Sequence, residues 1–562
     1  MGKSLRELEI VVADCQTTGA TPDHGHLIEL AWGVVSAACP EAAVIRSYTV
    51  RLPEGEALPR RIRFLTGITE KDLASGIQPA EAWWLFEASL RKPSGGWMIP
   101  VAHYSRFEKL WLESLRRETG ATGPFPVNPV CTREIARRLY PGLPRKGLHA
   151  LSGYLGRTMS ELKRAKEHAQ ATAFVWSMMV SGLEALGIDR MEKLMKWLEE
   201  PLPEAGGART YPLSRGVRLS LPEVPGVYRF YGADGKLLYV GKATSLRHRV
   251  SSYFTKRRAD EKTLELVTQV HDLRTTPCGS PLEAALLECR LIRRLKPPYN
   301  RAMKSGDENL WFCSEDRTSW GNSPAKGLCI GPFVTREAHY RLGFLNDLVS
   351  GKFPLKSGEI VSMFHLERVE FEPGAMEDGV AMLRDCLILD GRLHSLHHLL
   401  GLGRDLWLEM LEKREREEDG EVGDDEAEET GEPRKLTADD VFSILRWTVA
   451  DVALHERRLR WFRLLAWSTV SWKPPSDESA ERRFIVIRNG AVARSGSGIA
   501  EDTVPPPLDR SVPVLSRTGY ETLRVLTGEI RRVSAACSGI EVLLPTERRL
   551  EGDALARLLR MV

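Results

Sequence analysis

The chain has 562 residues, 42% hydrophobic and 28% charged, with a formal net charge of +3. That is too long for one hydrophobic core, and roughly three or four domains of about 150 residues each are expected. The composition is that of a folded globular protein, and no apolar run approaches the about 18 residues that span a bilayer, which excludes a membrane-embedded role. The start, MGKSLRELE, lacks the apolar core of a signal peptide. Nine scattered cysteines show no C-x-x-C spacing and fit a reducing compartment, so a cytoplasmic location is expected.

Residues 9–14 and 28–35 read as buried strands and 161–182 as a helix, which predicts an α/β first domain. The stretch VVADCQTTG, residues 11–19, runs an apolar strand into a turn with Asp14 at its mouth. Two positions on stands Gln16, where a two-metal phosphodiester-cleaving site would want a second carboxylate. Together with LIELAWGVV, VAHYSRFEKLWL (101–112) and LKRAKEHAQATAFVW (162–176), this domain resembles the DEDDh 3′–5′ exonucleases of the DNA polymerase III epsilon type. The resemblance implies an RNase H-like fold over 1–199. It keeps Asp14 but puts Gln16 in place of a glutamate ligand and Glu108 in place of an aspartate. Lys163 falls where the catalytic histidine should be, and His168 where the last aspartate should be. An amide cannot supply the negative charge that two Mg2+ ions require, and an ammonium group beside them opposes their binding. A degenerate exonuclease site retained for binding nucleic acid or a partner is therefore expected. An active 3′–5′ exonuclease rearranged around Asp14, Glu108 and His168 with a softer metal is the alternative.

Residues 200–217, rich in turn formers, read as a linker. Leu221 to Lys304 then holds 16 Lys and Arg against 8 Asp and Glu, a surplus that suggests a polyanionic partner; a solvated basic face is the other reading. Within it, GVYRFYGADGKLLYVGKATSLRHRVSSYF (226–254) opens with two β-rich runs about Asp234-Gly235, a hairpin that brings Tyr228 close to Tyr239 or Gly241. Lys242 follows, and Thr244 or Ser245 can cap a helix with Arg249 and Tyr253 on one face. A neighbouring cation draws a phenol down from its usual pKa of about 10 towards use as a base, although the same tyrosines could simply pack the hairpin. Ser280-Pro281-Leu282-Glu283 is a capping box with proline at the first helical position, opening a helix through EAALLECRLIRRL. On it Glu288 is ringed by Ala284, Ala285, Leu291 and Ile292, and a carboxylate so placed calls for a cation. A divalent metal would serve, as would a salt bridge to Arg247 or Arg249.

Gly226-Val227-Tyr228, Tyr239-Val240-Gly241, Lys242, Arg249, Tyr253, Glu288 and Pro298-Tyr299-Asn300 resemble the GIY-YIG nuclease domains of the UvrC/Cho type. The resemblance implies a small α/β domain over 218–304 in which Glu288 holds Mg2+, or Mn2+ as the alternative ion, and Arg249 contacts the scissile phosphate. Tyr228 or Tyr239 would deprotonate or orient the attacking water, with Lys242 lowering that tyrosine's pKa. Tyr253 and Asn300 would support the phosphate or the shape of the site. The implied activity is metal-dependent, structure-specific nicking of DNA in repair, like the 3′-incision step of nucleotide excision repair, with DNA as substrate and UvrB as a candidate partner. A non-catalytic DNA-binding scaffold is the rival.

Further on, Ile330-Gly331-Pro332-Phe333 is similar to the segment that follows the nuclease in UvrC, and 305–411 is expected to be a helical region of that kind. No UvrB-binding motif, second nuclease half or helix-hairpin-helix is recognisable, so a full UvrC is not expected. Asp390, His394, His397 and His398 fall on one helical face and could bind zinc, or stand as exposed helix histidines. Residues 412–435 carry 12 acids against 5 bases and read as a disordered linker. The C-terminal region, 436–562, is expected to be α+β, with a long helix at 438–467 and an Asn489-Gly490 hairpin between FIVIR and AVARS. Its segment Arg457 to Arg463 is either a DNA contact or an amphipathic helix whose arginines snorkel. The whole reads as an α/β multidomain protein.

Overall fold

The computed structural model describes residues 3–42, 44–123, 125–159, 162–203, 209–255, 260–300, 311–314, 319–321, 328–333, 341–345, 347, 369–387, 399–403, 405–409, 434–473, 481–498, 515–536, 539–545 and 548–560. They fall into two compact units, Met1–Gly279 with Arg294–Arg301, and Ser280–Arg293 with Ala302–Val562. The division runs through the segment 218–304 that the sequence reads as one domain.

In the first unit, β1 (Ile10–Thr17), β2 (Leu27–Val35) and β3 (Arg46–Thr49) form an antiparallel meander. Strands β4 (Ile99–Ala102) and β5 (Val130–Cys131) extend it in parallel on the other side of β1, giving the order β3-β2-β1-β4-β5. Helices α1 (Arg60–Thr66), α2 (Glu70–Ala74), α3 (Pro79–Leu90), α4 (Ser105–Glu118), α5 (Thr132–Leu139), α6 (Leu148–Tyr154), α7 (Ala165–Ala185) and α8 (Met191–Glu199) cover both faces. The period of two along β1 sorts its residues: Ile10 and Val12 enter one core with Ala169 and Val180 of α7, while Val11, Ala13 and Cys15 enter the other with Phe86 of α3 and Trp111 of α4. A strand buried on both faces reads as the continuous apolar run seen in the sequence. Helix α7 begins at Ala165, later than expected, because Glu167 turns back to accept the N–H groups of Lys163 (2.8 Å) and Arg164 (3.3 Å).

The same unit continues through α9 (Arg215–Leu219), β6 (Gly226–Tyr231), β7 (Leu237–Ala243), α10 (Leu246–Thr255), α11 (Glu261–Gln269) and β8 (Asp272–Pro277). The three strands are antiparallel with β6 in the centre. Gly235, at φ 74°, makes the hairpin turn expected at Asp234-Gly235. Tyr228, Phe230, Leu238, Leu246, Val250 and Phe254 form the core between sheet and helices.

Helix α12 (Pro281–Leu295) belongs to the second unit as far as Arg293. Ser280 accepts the Glu283 N–H at 3.2 Å as a cap should, but the Glu283 carboxylate takes the Arg483 guanidinium (2.5 Å), so only half of the expected capping box forms. The segment 305–411, expected to be helical, opens instead on a three-stranded antiparallel sheet of β9 (Trp311–Ser314), β10 (Trp320–Gly321) and β11 (Leu328–Phe333). Its aromatic residues Trp311, Phe312, Trp320 and Phe333 favour pleated backbone. Ile330-Gly331-Pro332-Phe333 lies in β11. Then come β12 (Val369–Phe371), α13 (Ala375–Leu387), β13 (Arg434–Leu436, parallel to β12) and α14 (Ala438–Leu465). Residues 412–433 of the acidic run lie outside the described residues, while Arg434 and Lys435, expected in the linker, are in a strand. Asp390, His394, His397 and His398 also lie outside them.

The C-terminal α+β region is a sheet of β14 (Thr469–Trp472), β15 (Arg483–Arg488), β16 (Ala491–Ser497), β17 (Glu541–Leu543) and β18 (Arg549–Glu551), with α15 (Arg517–Ala536) and α16 (Gly552–Arg560). Its order is β16-β15-β14-β17-β18. Asn489 and Gly490, at φ 48° and 72°, close the expected hairpin with two left-handed residues. On α14, Leu459, Trp461 and Phe462 are core residues and Arg460 pairs with Glu456 at 3.0 Å, the pattern of an amphipathic helix. Among the described residues no helix is long and apolar enough to cross a membrane.

Candidate active site

The β6–β7 register places Tyr228 opposite Gly241 and Phe230 opposite Tyr239. A side chain at Gly241 would collide with the Tyr228 hydroxyl and the Tyr239 ring, so the glycine makes the space that the buried phenol fills. Gly226 is likewise pressed against the Thr276 carbonyl and Leu246. Tyr253, one turn after Arg249 on α10, completes a triangle of phenols: ring centroids are 6.1 Å apart for Tyr228 and Tyr239, 5.9 Å for Tyr228 and Tyr253, and 6.1 Å for Tyr239 and Tyr253. The Arg249 guanidinium lies 5.2 Å from the Tyr253 ring centroid. The Tyr228 and Tyr253 hydroxyls are 2.8 Å apart.

The phenols differ in environment. Tyr228 is fully buried, and burial, then Tyr253 and Tyr239, push its pKa well up, with Arg249 the opposing cation. The expected lowering of a tyrosine pKa by Lys242 is thus not met at Tyr228, because desolvation outweighs the nearby charge. Tyr239 is half-buried. Lys242, paired in the ladder with Val227, is half-buried as well. Asn300 shapes the site: its buried amide accepts the Val240 N–H (3.0 Å) and donates to the Val240 carbonyl (2.8 Å), strapping β7 from the side. Arg247, one of the two partners considered for Glu288, donates to Glu223 (2.6 Å) and the Leu221 carbonyl (2.7 Å). Glu288 itself is half-buried on α12, with Ala284, Ala285, Leu291 and Ile292 buried around it.

The second candidate site lies at the end of β1. Asp14, on the α7 side of the sheet, stands 3.3 Å from His168 Nδ1, and Gln16 donates to the same carboxylate at 3.4 Å. Burial raises the Asp14 pKa, against the opposing pull of His168. Burial would lower that of His168, but the hydrogen bond and charge of Asp14 win and the net shift is upward. Glu108 comes from α4 on the opposite face; burial and then the Asp14 charge hold its pKa well up, and its Oε2 has no hydrogen-bond partner. These residues and Lys163 line a cleft of 840 Å3 with exposed Phe64 and Tyr104 at its walls.

Sequence reasoning passed over two further polar groups here. His103 follows β4, and its Nδ1 lies 2.9 Å from Thr132 Oγ1, which itself donates to the Ala102 carbonyl (3.3 Å). Nδ1 therefore carries the hydrogen, and Nε2 is left as an unpaired buried acceptor on the cleft wall. Glu29, buried in β2, receives the Arg164 guanidinium (2.8 Å) and the Ala165 N–H (2.9 Å). A lone glutamate inside the apolar run LIELAW was the signal for it.

The sequence pattern described as the UvrC-like GIY-YIG domain matches residues 224–301. Residues 224–301 form a UvrC-like GIY-YIG domain. A Mycobacterium tuberculosis protein, provisionally named a bifunctional exonuclease/endonuclease, is 30% identical over 347 residues, covering 59% of this chain and 51% of the relative. UvrABC system protein C of Psychrobacter sp. is 43% identical over 126 residues, 21% of this chain and 20% of that protein. The chain thus spans about half or less of the length of these curated relatives. The magnesium-bound GIY-YIG endonuclease domain of Thermotoga maritima UvrC is 36% identical, covering 15% of this chain and 93% of that domain, at a TM-score of 0.14. The N-terminal region is exonuclease-like.

In the GIY-YIG domain a single oxygen donor, Glu288, in an apolar setting fits a hard cation that keeps most of its waters. In the exonuclease-like region the Asp14 carboxylate is already engaged by an imidazole and an amide. Among the described residues no group of three or more His, Cys, Asp or Glu is arranged to hold a metal ion. Of the residues of the alternative site around a softer metal, Asp14 and His168 pair with each other and Glu108 lines the same cleft.

Proposed function

We propose that the chain is a metal-dependent, structure-specific DNA endonuclease that nicks one strand in DNA repair, in the manner of the 3′-incision step of nucleotide excision repair. The observation that carries this reading is the phenol triangle of Tyr228, Tyr239 and Tyr253 with Arg249 against it, inside a matched GIY-YIG domain. Arg249 is the exposed cation able to take the scissile phosphate and the charge that builds on it. Tyr239, half-buried, orients or deprotonates the attacking water. Tyr228 keeps its proton and links Tyr253 to the sheet. Glu288 would hold Mg2+, which when bound supplies neutralisation of phosphate charge. The exonuclease-like cleft, with Phe64 and Tyr104 available for stacking, binds nucleic acid without cutting it.

The test is incubation of the purified protein with nicked, flapped and lesion-containing duplexes, with and without Mg2+ and UvrB. Magnesium-dependent single-strand nicks on one class of substrate are expected. A protein that binds these DNAs but cleaves none of them under any of the conditions would be the non-catalytic scaffold instead.

A further inference from the structure

Strand β7, which carries Tyr239, Gly241 and Lys242, is held in two places by residues that the exonuclease-like region anchors. The first is the turn at its start. The Asp234 carboxylate accepts the backbone N–H (3.1 Å) and the hydroxyl (2.8 Å) of Thr158, and Lys236 returns a hydrogen bond to the Thr158 carbonyl (3.2 Å). Gly232 lies so close to the Thr158 hydroxyl that a side chain there would displace it.

The second place is the flank of the strand. Asn300 grips Val240 through both amide atoms, and the N–H of its neighbour Tyr299 donates to the Leu238 carbonyl at 3.1 Å. The Tyr299 ring is buried, and its hydroxyl donates to Glu265 Oε1 (2.7 Å) while receiving Gln269 Nε2 (2.5 Å). His149 of α6 closes this network, its Nδ1 3.0 Å from both the Tyr299 hydroxyl and Glu265 Oε1, and its Nε2 tied to the Met159 carbonyl at 3.2 Å. Behind it, Gly153 is packed against the buried Gln269 side chain with no room for a Cβ.

We propose that the exonuclease-like region is a built-in support of the GIY-YIG site, with His149 and Thr158 as positioning residues that fix β7 and hence Tyr239 for the nicking reaction. The inference rests on the reading of that site given above. Two docked surfaces with no shared task would have no reason to meet at the one strap and the one turn that set β7. Here a hydroxyl and an imidazole from the first region add hydrogen bonds to Asp234 and to the Tyr299–Glu265 pair beyond those made within 218–304. Displacement of a catalytic group by about an ångström costs up to about a hundredfold in rate, so loss of these ties should act on turnover more than on binding.

The test uses the full-length protein. His149→Ala, Thr158→Val, their combination and Gly153→Leu are compared with wild type in magnesium-dependent nicking, with Arg63→Ala as a remote control. The combined variant should lose about tenfold in kcat with KM for DNA within about twofold, and Arg63→Ala should lose nothing. His149→Ala together with Tyr299→Phe should fall no further than the worse single variant, since both break one link. Hydrogen exchange supplies a readout independent of cleavage: the Val240 amide should exchange about tenfold faster in His149→Ala and in Gly153→Leu. Unchanged kcat in the combined variant of an active protein, or unchanged Val240 exchange in both variants, overturns the proposal. A wild type that nicks nothing sinks the assigned activity, and the exchange measurement then still decides whether the first region holds β7.

Discussion

The Tyr228 hydroxyl lies 2.8 Å from that of Tyr253, in a pocket that exists because residue 241 has no side chain. That bond and its burial leave Tyr228 a poor source of phenolate, and they separate its expected behaviour from that of Tyr239. In magnesium-dependent nicking, Tyr239→Phe and Arg249→Ala should each fall by about a hundredfold or more in kcat, with DNA affinity little changed. Tyr228→Phe should fall by about tenfold, through loosening of Tyr253. Glu288→Gln, which keeps the shape and removes the charge, should abolish nicking. Undiminished cleavage by Glu288→Gln would remove the metal assignment.

The exonuclease-like region should not degrade a 3′ end in Mg2+, and Gln16→Glu alone should not revive it. That change restores one carboxylate, but Asp14 remains paired with His168 and no imidazole stands at position 163 to accept a proton from water. The smallest set expected to recover any activity is Gln16→Glu with Lys163→His and His168→Asp. The measurement is release of nucleotides from labelled single-stranded DNA, with Asp14→Ala as control. Digestion by the unmodified protein that Asp14→Ala stops would show a working exonuclease.

Two buried groups set opposite pH dependences for the stability of the first unit. Burial, the largest cause, lowers the His103 pKa to about 3. The neutral ring is favoured in the folded state, so its contribution is complete above about pH 6.5 and is lost as pH falls towards 3, by about 1.4 kcal/mol per pH unit. Relative to wild type, His103→Gln should therefore gain stability as pH is lowered below about 6.5. Glu108 is displaced upward, so its contribution is present below the ordinary carboxylate pKa of about 4.3 and is lost as pH rises. Glu108→Gln should gain relative to wild type from pH 4 to 7. Thermal melts of the three proteins across pH 4 to 8 check both signs, and parallel curves would contradict them.

DNA binding by the full chain should weaken steeply with salt, because each phosphate contact releases counterions with a log-log slope of about −0.9 on duplex. Charge reversal at Lys242 should reduce that slope by about one contact. A slope near zero in fluorescence anisotropy would mean that the basic surplus of residues 221–304 is only a solvated surface.

The sequence made local structure and motif chemistry legible, and left three-dimensional partnerships hidden. Apolar runs and turn formers announced β1, β2 and the two hairpins, and the identity of the GIY-YIG residues announced which side chains would gather. What could not be read was burial. Tyr228 and Tyr239 look alike in sequence, yet Tyr228 lies in the core while Tyr239 is half-buried. His149, Gly153 and Thr158 carry no motif at all, because their partners lie 76 to 150 residues away in the chain. The sheet at 311–333 was missed for another reason: its strands are short, and short apolar runs suit either backbone form.

The pairing of Asp14 with His168 also bears on how this site can change over generations. The buried Asp14 carboxylate is held by the half-buried His168 imidazole. Replacing His168 by aspartate alone would set another carboxylate beside the buried Asp14, to which Glu29 already adds negative charge. Replacing Asp14 alone would leave the half-buried His168 without its carboxylate partner. Removing His168 would leave the buried carboxylate less compensated, a cost that counts against a domain stability of only about 5–15 kcal/mol. The two positions are thus coupled, and a substitution at one is expected to be tolerated better when the other changes with it.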